Sequence, residues 1–393
     1  MTTTIPPQGI GRDHRLDVFR GLALVMIFVN HVPGNVFENL TSRNFGFSDA
    51  AEAFVLMSGI AVGLAYARLF RAGEFLSGCM RVWRRAGTLY VTHIVTTAFA
   101  IAILAAGVVV LDTIDVLPRV NFTALLEQPL KAMIGIPLLT HQLGYLNILP
   151  LYSTLLLVSP LYILIGLWSR MGLIAVAIVV WVLAGTFRIN LPNYPLPGGW
   201  FFNPVSWQLI YAIGIACGLA MIHKRKLIGY HGWLFSACLA YLAFSLLWVQ
   251  MQKGNLPLEP YLPFFVGGFD KTFLALPRLL HVLALAYVLT NLAAVSRFLA
   301  RPAFRPVELI GQYGLAVFAV GTVLSIALQV YRARFETSAI EDGALLAGGL
   351  LIQYGVARLF AATSEKKRGK AQESGARKPS LAGNPAAGQA SRP

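Results

Sequence analysis

Arg20 and His31 close the two ends of an otherwise apolar run, RGLALVMIFVNH. Together with Asp17, Leu24 and Phe28 they follow a 3, 4, 4, 3 spacing that lays all five on one face of a helix. At about 100° per residue, His31 returns to within about 20° of Arg20, some ~16 Å further along the axis. An imidazole can take a proton near neutral pH, and a guanidinium can hold a phosphate or carboxylate. The stripe therefore offers a proton acceptor at one end and an anion partner at the other. The plainer reading pairs Arg20 with Asp17 as a structural ion pair and lets His31 snorkel at an interface.

Two further segments carry groups that could join this chemistry. GFSDAAEAFVLMSG places Asp49 and Glu52 one helical turn apart at the start of an apolar run, where they either cap the helix or reach His31 and fix its tautomer. GFDKTFLALPRLLH places Asp270 and Lys271 just outside another run and Arg278 and His281 on one face within it. These form a buried ion-pair network, or Arg278 with His281 receives the carboxylate of a bound donor. Tyr152, Trp207 and Gln208, at the ends of LGYLNILPLY and FFNPVSWQL, combine rings with an amide. They serve as caps and belts, or as a surface for a hydroxylated acceptor. His93 and His141 are isolated, and no HExxH or paired CxxC spacing occurs, so no metal site is expected.

The elements that position these groups follow from composition. Of 393 residues, 56 % are hydrophobic and 12 % charged, half the charge of an ordinary soluble domain, and the mean hydropathy is +0.65. Apolar stretches long enough to cross a bilayer about 30 Å thick recur at 14–33, 50–69, 87–111, 146–168, 171–187, 205–222, 232–249, 273–295, 309–331 and 343–362. None alternates as barrel strands do. The fold expected is all-α, a polytopic bundle of about ten transmembrane helices spanning 14–362. A cytoplasmic N-terminus at 1–13 and a disordered basic cytoplasmic tail at 363–393 flank it. Asp17 and Arg20 interrupt the first stretch, which argues against a cleaved signal peptide.

The net charge of +15 raises the question of nucleic acid. With the N-terminus in the cytoplasm, however, Arg68, Arg71, Arg81, Arg84, Arg85, Lys224, Arg225, Lys226 and the basic tail all fall on the inner side. The positive-inside rule accounts for the charge, and the partner implied is the lipid bilayer and not nucleic acid. Cys79, Cys217 and Cys238 all lie away from external loops, so no disulfide framework is expected. Gly59 with Gly63, and Gly214 with Gly218, have the small-xxx-small spacing of close helix packing. The piece ALLEQPLKAMIGIPLL reads as an amphipathic segment along the external interface.

In order, RLDVFRGLALVMIFVNH, GFSDAAEAFVLMSG, LGYLNILPLY, NPVSWQLIYAIG, FDKTFLALPRLLH and IGQYGLAVFAVGTVLS resemble the OpgC family. Its members are membrane proteins that succinylate osmoregulated periplasmic glucans, within the transmembrane acyltransferases related to acyltransferase-3 enzymes. The resemblance implies an inner-membrane O-acyltransferase with cytoplasmic succinyl-CoA or another acyl-CoA as donor and a periplasmic glucan as acceptor. No permanently bound cofactor is implied. On that reading His31 is the catalytic base, Asp49 or Glu52 orients it, and Arg20, Arg278 and His281 serve the donor. A transporter or exporter of a glycan or acyl donor, using the same buried charges as a pathway, is the alternative.

Overall fold

The computed structural model describes residues 13–252 and 262–376, and among them only helices, turns and one isolated β-bridge occur. Fifteen α-helices follow in order: α1 His14–Asn30, α2 Ala50–Arg71, α3 Phe75–Leu111, α4 Thr123–Glu127, α5 Pro129–Gly135, α6 Ile148–Trp168, α7 Arg170–Thr186, α8 Pro204–Ile222, α9 Gly232–Gln252, α10 Phe264–Gly267, α11 Leu276–Asn291, α12 Ala293–Leu299, α13 Arg305–Gln312, α14 Gly314–Arg334 and α15 Ala339–Ala376. This is an all-helical membrane protein.

A helix occupies each of the ten expected stretches, but seven are long and apolar enough to cross a membrane, or eight if the bent pair α11 and α12 is one span. The expected count of about ten is therefore approximate. Hydropathy windows run across helix breaks. Helix α1 stops after 17 residues, where His31 caps it, and α7 also has 17 residues. The stretch 273–295 turns by 81° after Asn291, and 309–331 breaks at Tyr313 between α13 and α14. Helix α15 runs on to Ala376, past the boundary of 363 expected for the tail, while residues 377–393, Arg12 and Lys253 lie outside the described residues. The expected amphipathic segment folds as the short helices α4 and α5, with Leu126, Leu130, Met133 and Leu138 exposed.

Helix α8 is the centre of the bundle: 72 % of its apolar window is buried by protein, against 6 % for α9. It packs on α2, α6 and α7. The two glycine pairs permit the closest of these contacts, since a Cβ on Gly59 would come within 2.2 Å of the Tyr211 carbonyl oxygen and one on Gly214 within 2.3 Å of the Leu56 carbonyl oxygen. Gly63 and Gly218 repeat the contact one turn on. Lipid supplies no hydrophobic drive between helices, so this backbone approach gains van der Waals contact that larger residues forbid.

Helix α1 is gripped at its N-terminal end. The His14 Nε2 lies 3.1 Å from the Leu299 carbonyl and its Nδ1 2.7 Å from Glu308 Oε1, while Arg15 Nη1 donates to Ser296 Oγ at 3.3 Å. Gly21 and Gly311 bring α1 and α13 together, each occupying space beside the other helix's backbone: a Cβ would sit 1.9 Å from the Val307 oxygen or 1.8 Å from the Asp17 oxygen.

Because the α2–α8 seam has no space for a methyl group, Gly59→Ala and Gly214→Ala are each expected to destabilise the purified protein by about 1–3 kcal/mol. Thermal unfolding in detergent micelles measures this, with Gly87→Ala, where a Cβ meets open space, as the neutral control.

Candidate functional site

The site begins with a helix start. Asp49 is the N-cap of α2, and its Oδ1 accepts the Ala51 N–H at 2.8 Å while the Asp49 N–H donates to Glu52 Oε2 at 2.9 Å. This capping box satisfies backbone donors that would otherwise be orphaned, and it fixes both carboxylates. The approach to it is held by α11: Ser48 Oγ lies 2.7 Å from His281 Nδ1, which also accepts the Ser48 N–H at 3.3 Å. The His281 ring fills the space a side chain on Gly46 would need, 1.9 Å from a Cβ there. His281 thus positions the 46–49 turn, and its Nδ1 is not open to a donor.

Glu52 is fully buried, and its Oε1 receives Arg278 Nε at 2.7 Å and Nη2 at 2.6 Å. Arg278 Nη2 is also 3.5 Å from Asp49 Oδ2, which is bonded to Lys271 Nζ as well. Two acids and two bases therefore neutralise one another between α2 and the start of α11. Burial alone disfavours the charge of Asp49, yet Lys271 and Arg278 beside it hold its carboxyl below the usual carboxylate range. The tips of Arg278 are not all used: Nη1 has no hydrogen-bond partner among the described residues.

Lys271 is placed by a tight turn. Asp270 Oδ1 accepts the Phe273 N–H at 2.7 Å, and Leu274 adopts a positive φ of 49° that a branched residue rarely takes. Two indoles clamp this turn from behind. Trp181 Nε1 lies 3.0 Å from the Phe273 carbonyl and 3.2 Å from that of Leu274, and Trp207 Nε1 donates to the Lys271 carbonyl at 2.9 Å. Trp207 is fully buried, and Gln208 bonds Tyr162 and the Ala177 carbonyl inside the bundle. Both were expected on an acceptor surface. The structure instead places them in the interior with their polar atoms paired, because the helix start at Pro204 turns that face onto α6, α7 and the 271–274 turn.

His31 sits at the C-terminal end of α1, partly buried, with its carbonyl bonded to Gln329 Nε2 of α14 at 2.7 Å. Its ring stacks on Tyr145 at a centroid distance of 4.4 Å and 17° between planes. The charges that act on it are those of Lys271 and Asp49. The expected hydrogen bond from Asp49 or Glu52 to the ring is not formed, since Glu52 is committed to Arg278 and Asp49 to Lys271. Stacking, not a carboxylate, orients His31, and Tyr145 and Gln329 are the partners that sequence reasoning missed.

Toward the N-terminus of α1 the same face opens on a cavity of about 640 Å³, lined by Arg20, Arg85, Ser58, Tyr66, Tyr152 and Tyr313 among others. Arg20 keeps its expected pairing with Asp17 at 3.3 Å and lies 3.4 Å from the Gly311 carbonyl. Tyr152 belongs to this inner cavity and not to an external acceptor surface. Phe318 lines both the cavity and a void of about 10 Å³ bordered by Leu24, Phe28, His31 and Gln353. The Arg20 to His31 stripe therefore runs from a roomy cavity to a narrow void, and Phe318 lines both.

An all-helical polytopic membrane protein, with a buried charge cluster near one end of the bundle and a chamber edged by arginines farther along α1, is the class that fold and site define. The family described as OpgC protein matches residues 12–365, nearly the whole chain, and the chain belongs to that family. No match was found among curated proteins or among solved structures.

The charge cluster makes its members mutually dependent. Arg278→Ala leaves Glu52 buried without its cation and is expected to cost about 3–5 kcal/mol. Glu52→Gln combined with Arg278→Ala should lose less than the sum of the single changes. Chemical denaturation of the four proteins in micelles measures the coupling.

Proposed function

We propose that this protein is an inner-membrane O-acyltransferase, with both termini in the cytoplasm, that moves a succinyl or similar acyl group from cytoplasmic acyl-CoA to hydroxyls of a periplasmic glucan. The observation that carries the reading is the single helical face joining Arg20, at the inner chamber, to His31, beside the external charge cluster. A donor with a phosphorylated head and a long thin arm fits such a path, and membership in the OpgC family supports acyl transfer as the chemistry.

On this reading Arg20 and Arg85 face the anionic head of the donor, and its pantetheine arm follows the chamber toward Phe318. His31, held by Tyr145, takes the proton from a glucosyl hydroxyl as the oxygen attacks the thioester carbonyl. The C–O bond forms, the C–S bond breaks, and the leaving thiolate recovers the proton from His31. Burial and the Lys271 charge disfavour the imidazolium, which keeps the resting ring neutral and able to accept the proton, and the negative charge of Asp49 partly offsets them. Arg278, already anchored on Glu52, offers Nη1 to the free carboxylate of a succinyl group.

His31→Ala is expected to reduce glucan acylation by at least about 10²-fold while the protein still inserts and accumulates; mass spectrometry of extracted glucan reads the loss. Normal modification by that variant would refute the role. An exporter would instead leave glucan on the cytoplasmic side in a deletion strain, whereas the acyltransferase leaves it correctly located, unmodified and less anionic. Arg278→Lys, which keeps the charge but not the planar fork, should slow a dicarboxylic donor more than an acetyl donor. Equal losses for the two donors would make Arg278 purely structural.

A further inference from the structure

On the external side, next to the charge cluster, lies a second cleft of about 250 Å³ that the steps above do not use. It is smaller than the roughly 300–1,000 Å³ of drug-sized ligand pockets, on the scale of a single sugar unit within a longer chain. Its walls come from three separate parts of the sequence: the 121–147 region, the 193–201 loop and the turn at Thr272. None of its lining residues is charged. Asn121, Gln142, Asn147 and Asn193 supply four side-chain amides, Thr272 a hydroxyl, and Phe201, half exposed, the one aromatic ring.

These polar groups are mostly unused by the protein. The side chains of Asn147, Asn193 and Thr272 make no hydrogen bond to another described residue, and Asn147 leaves its capping position on α6 unbonded. Gln142 donates from Nε2 to the Leu139 carbonyl at 2.9 Å, which holds the amide and leaves its Oε1 free; Asn121 makes one long contact, 3.4 Å, to the Gln142 carbonyl. A ring of fixed amides without charge matches a ligand that presents alternating donors and acceptors but no charge of its own. Phe201 adds a face whose negative quadrupole attracts polarised C–H groups. A neutral saccharide has both features, and a phosphate or carboxylate ligand has neither.

The walls also lead directly to the chemistry. Tyr145, between the lining residues Gly144 and Asn147, is the ring stacked on His31. Lys271, which precedes Thr272, is the cation bonded to Asp49, and its Nζ lies 5.9 Å from the Phe201 ring centroid. A ligand in the cleft is thus flanked on two sides by segments whose neighbouring residues build the site.

We infer that this cleft is the acceptor subsite: it holds an uncharged glycosyl unit of the acceptor chain through Asn147, Asn193 and Gln142 with stacking on Phe201, and presents a neighbouring hydroxyl toward His31. This rests on the acyltransferase reading for its role in catalysis, but saccharide binding itself does not.

The test uses the full-length protein in detergent micelles with a linear, unsubstituted oligosaccharide of glucose as probe. Calorimetric titration measures binding, and transfer from succinyl-CoA measures kinetics. Asn193→Ala and Phe201→Ala are each expected to weaken binding and to raise the KM for the oligosaccharide by about three- to tenfold, leaving kcat and the KM for the donor unchanged. Phe201→Trp, which keeps a ring, should restore binding, and a uronic-acid oligosaccharide should bind no better than the neutral one. His31→Ala should bind the probe as well as the parent while transferring nothing. Unaltered acceptor KM in both alanine variants would overturn the subsite while leaving the acyltransferase reading intact. Probe binding that the variants weaken, with no transfer by the parent protein, would uphold the subsite and overturn that reading.

Discussion

Four charges of opposite sign, Asp49 and Glu52 against Lys271 and Arg278, tie the N-terminal end of α2 to the 271–278 segment. At membrane depth an isolated charge is costly, so these groups are tolerated only as a set. The set in turn demands accuracy of everything around it. A capping box fixes the acids, His281 fixes the turn that precedes them, and two indoles clamp the turn that carries Lys271. A network whose partners are all satisfied in low dielectric permits one arrangement and penalises its neighbours. The external site is rigid because its electrostatics leave no inexpensive alternative.

The interior follows a different logic. The chamber beside Arg20 is lined by aromatic and small residues with two guanidinium groups at its edge, and Phe318 lines both it and the void beside His31. Here shape matters more than bonding. The acyl transfer proposed above needs a shape of this kind, a chamber that admits a narrow arm and tapers toward His31.

Much of this was legible in the sequence, and the parts that were share a cause. The Arg20 to His31 stripe, the Asp17 to Arg20 pair, the Asp49 to Glu52 cap and the glycine seam are all set by helical periodicity, which a sequence displays directly. Partners brought together by tertiary folding were not legible. Tyr145 is far along the chain from the histidine it stacks on, and Trp181 meets the 273–274 turn from another helix. Trp207, Gln208 and Tyr152 carry residue types suited to sugar binding, but their faces are decided by which helix packs against them. The count of spans failed for a related reason: apolar composition continues through the breaks at Asn291 and Tyr313, where backbone geometry, not hydrophobicity, ends the helix.

The grip on the N-terminal end of α1, through His14, Arg15 and the close packing of Gly21 on α13, gains meaning beside the Gln329 bond at the opposite end. A rod fastened at both tips cannot slide along its axis. The separation between its inner guanidinium and its outer imidazole is therefore a fixed gauge. On the proposed acyl-transfer reading, a carrier that engages both must match that length between its anionic head and its reactive carbon, so α1 would select it by reach, independently of the group it delivers.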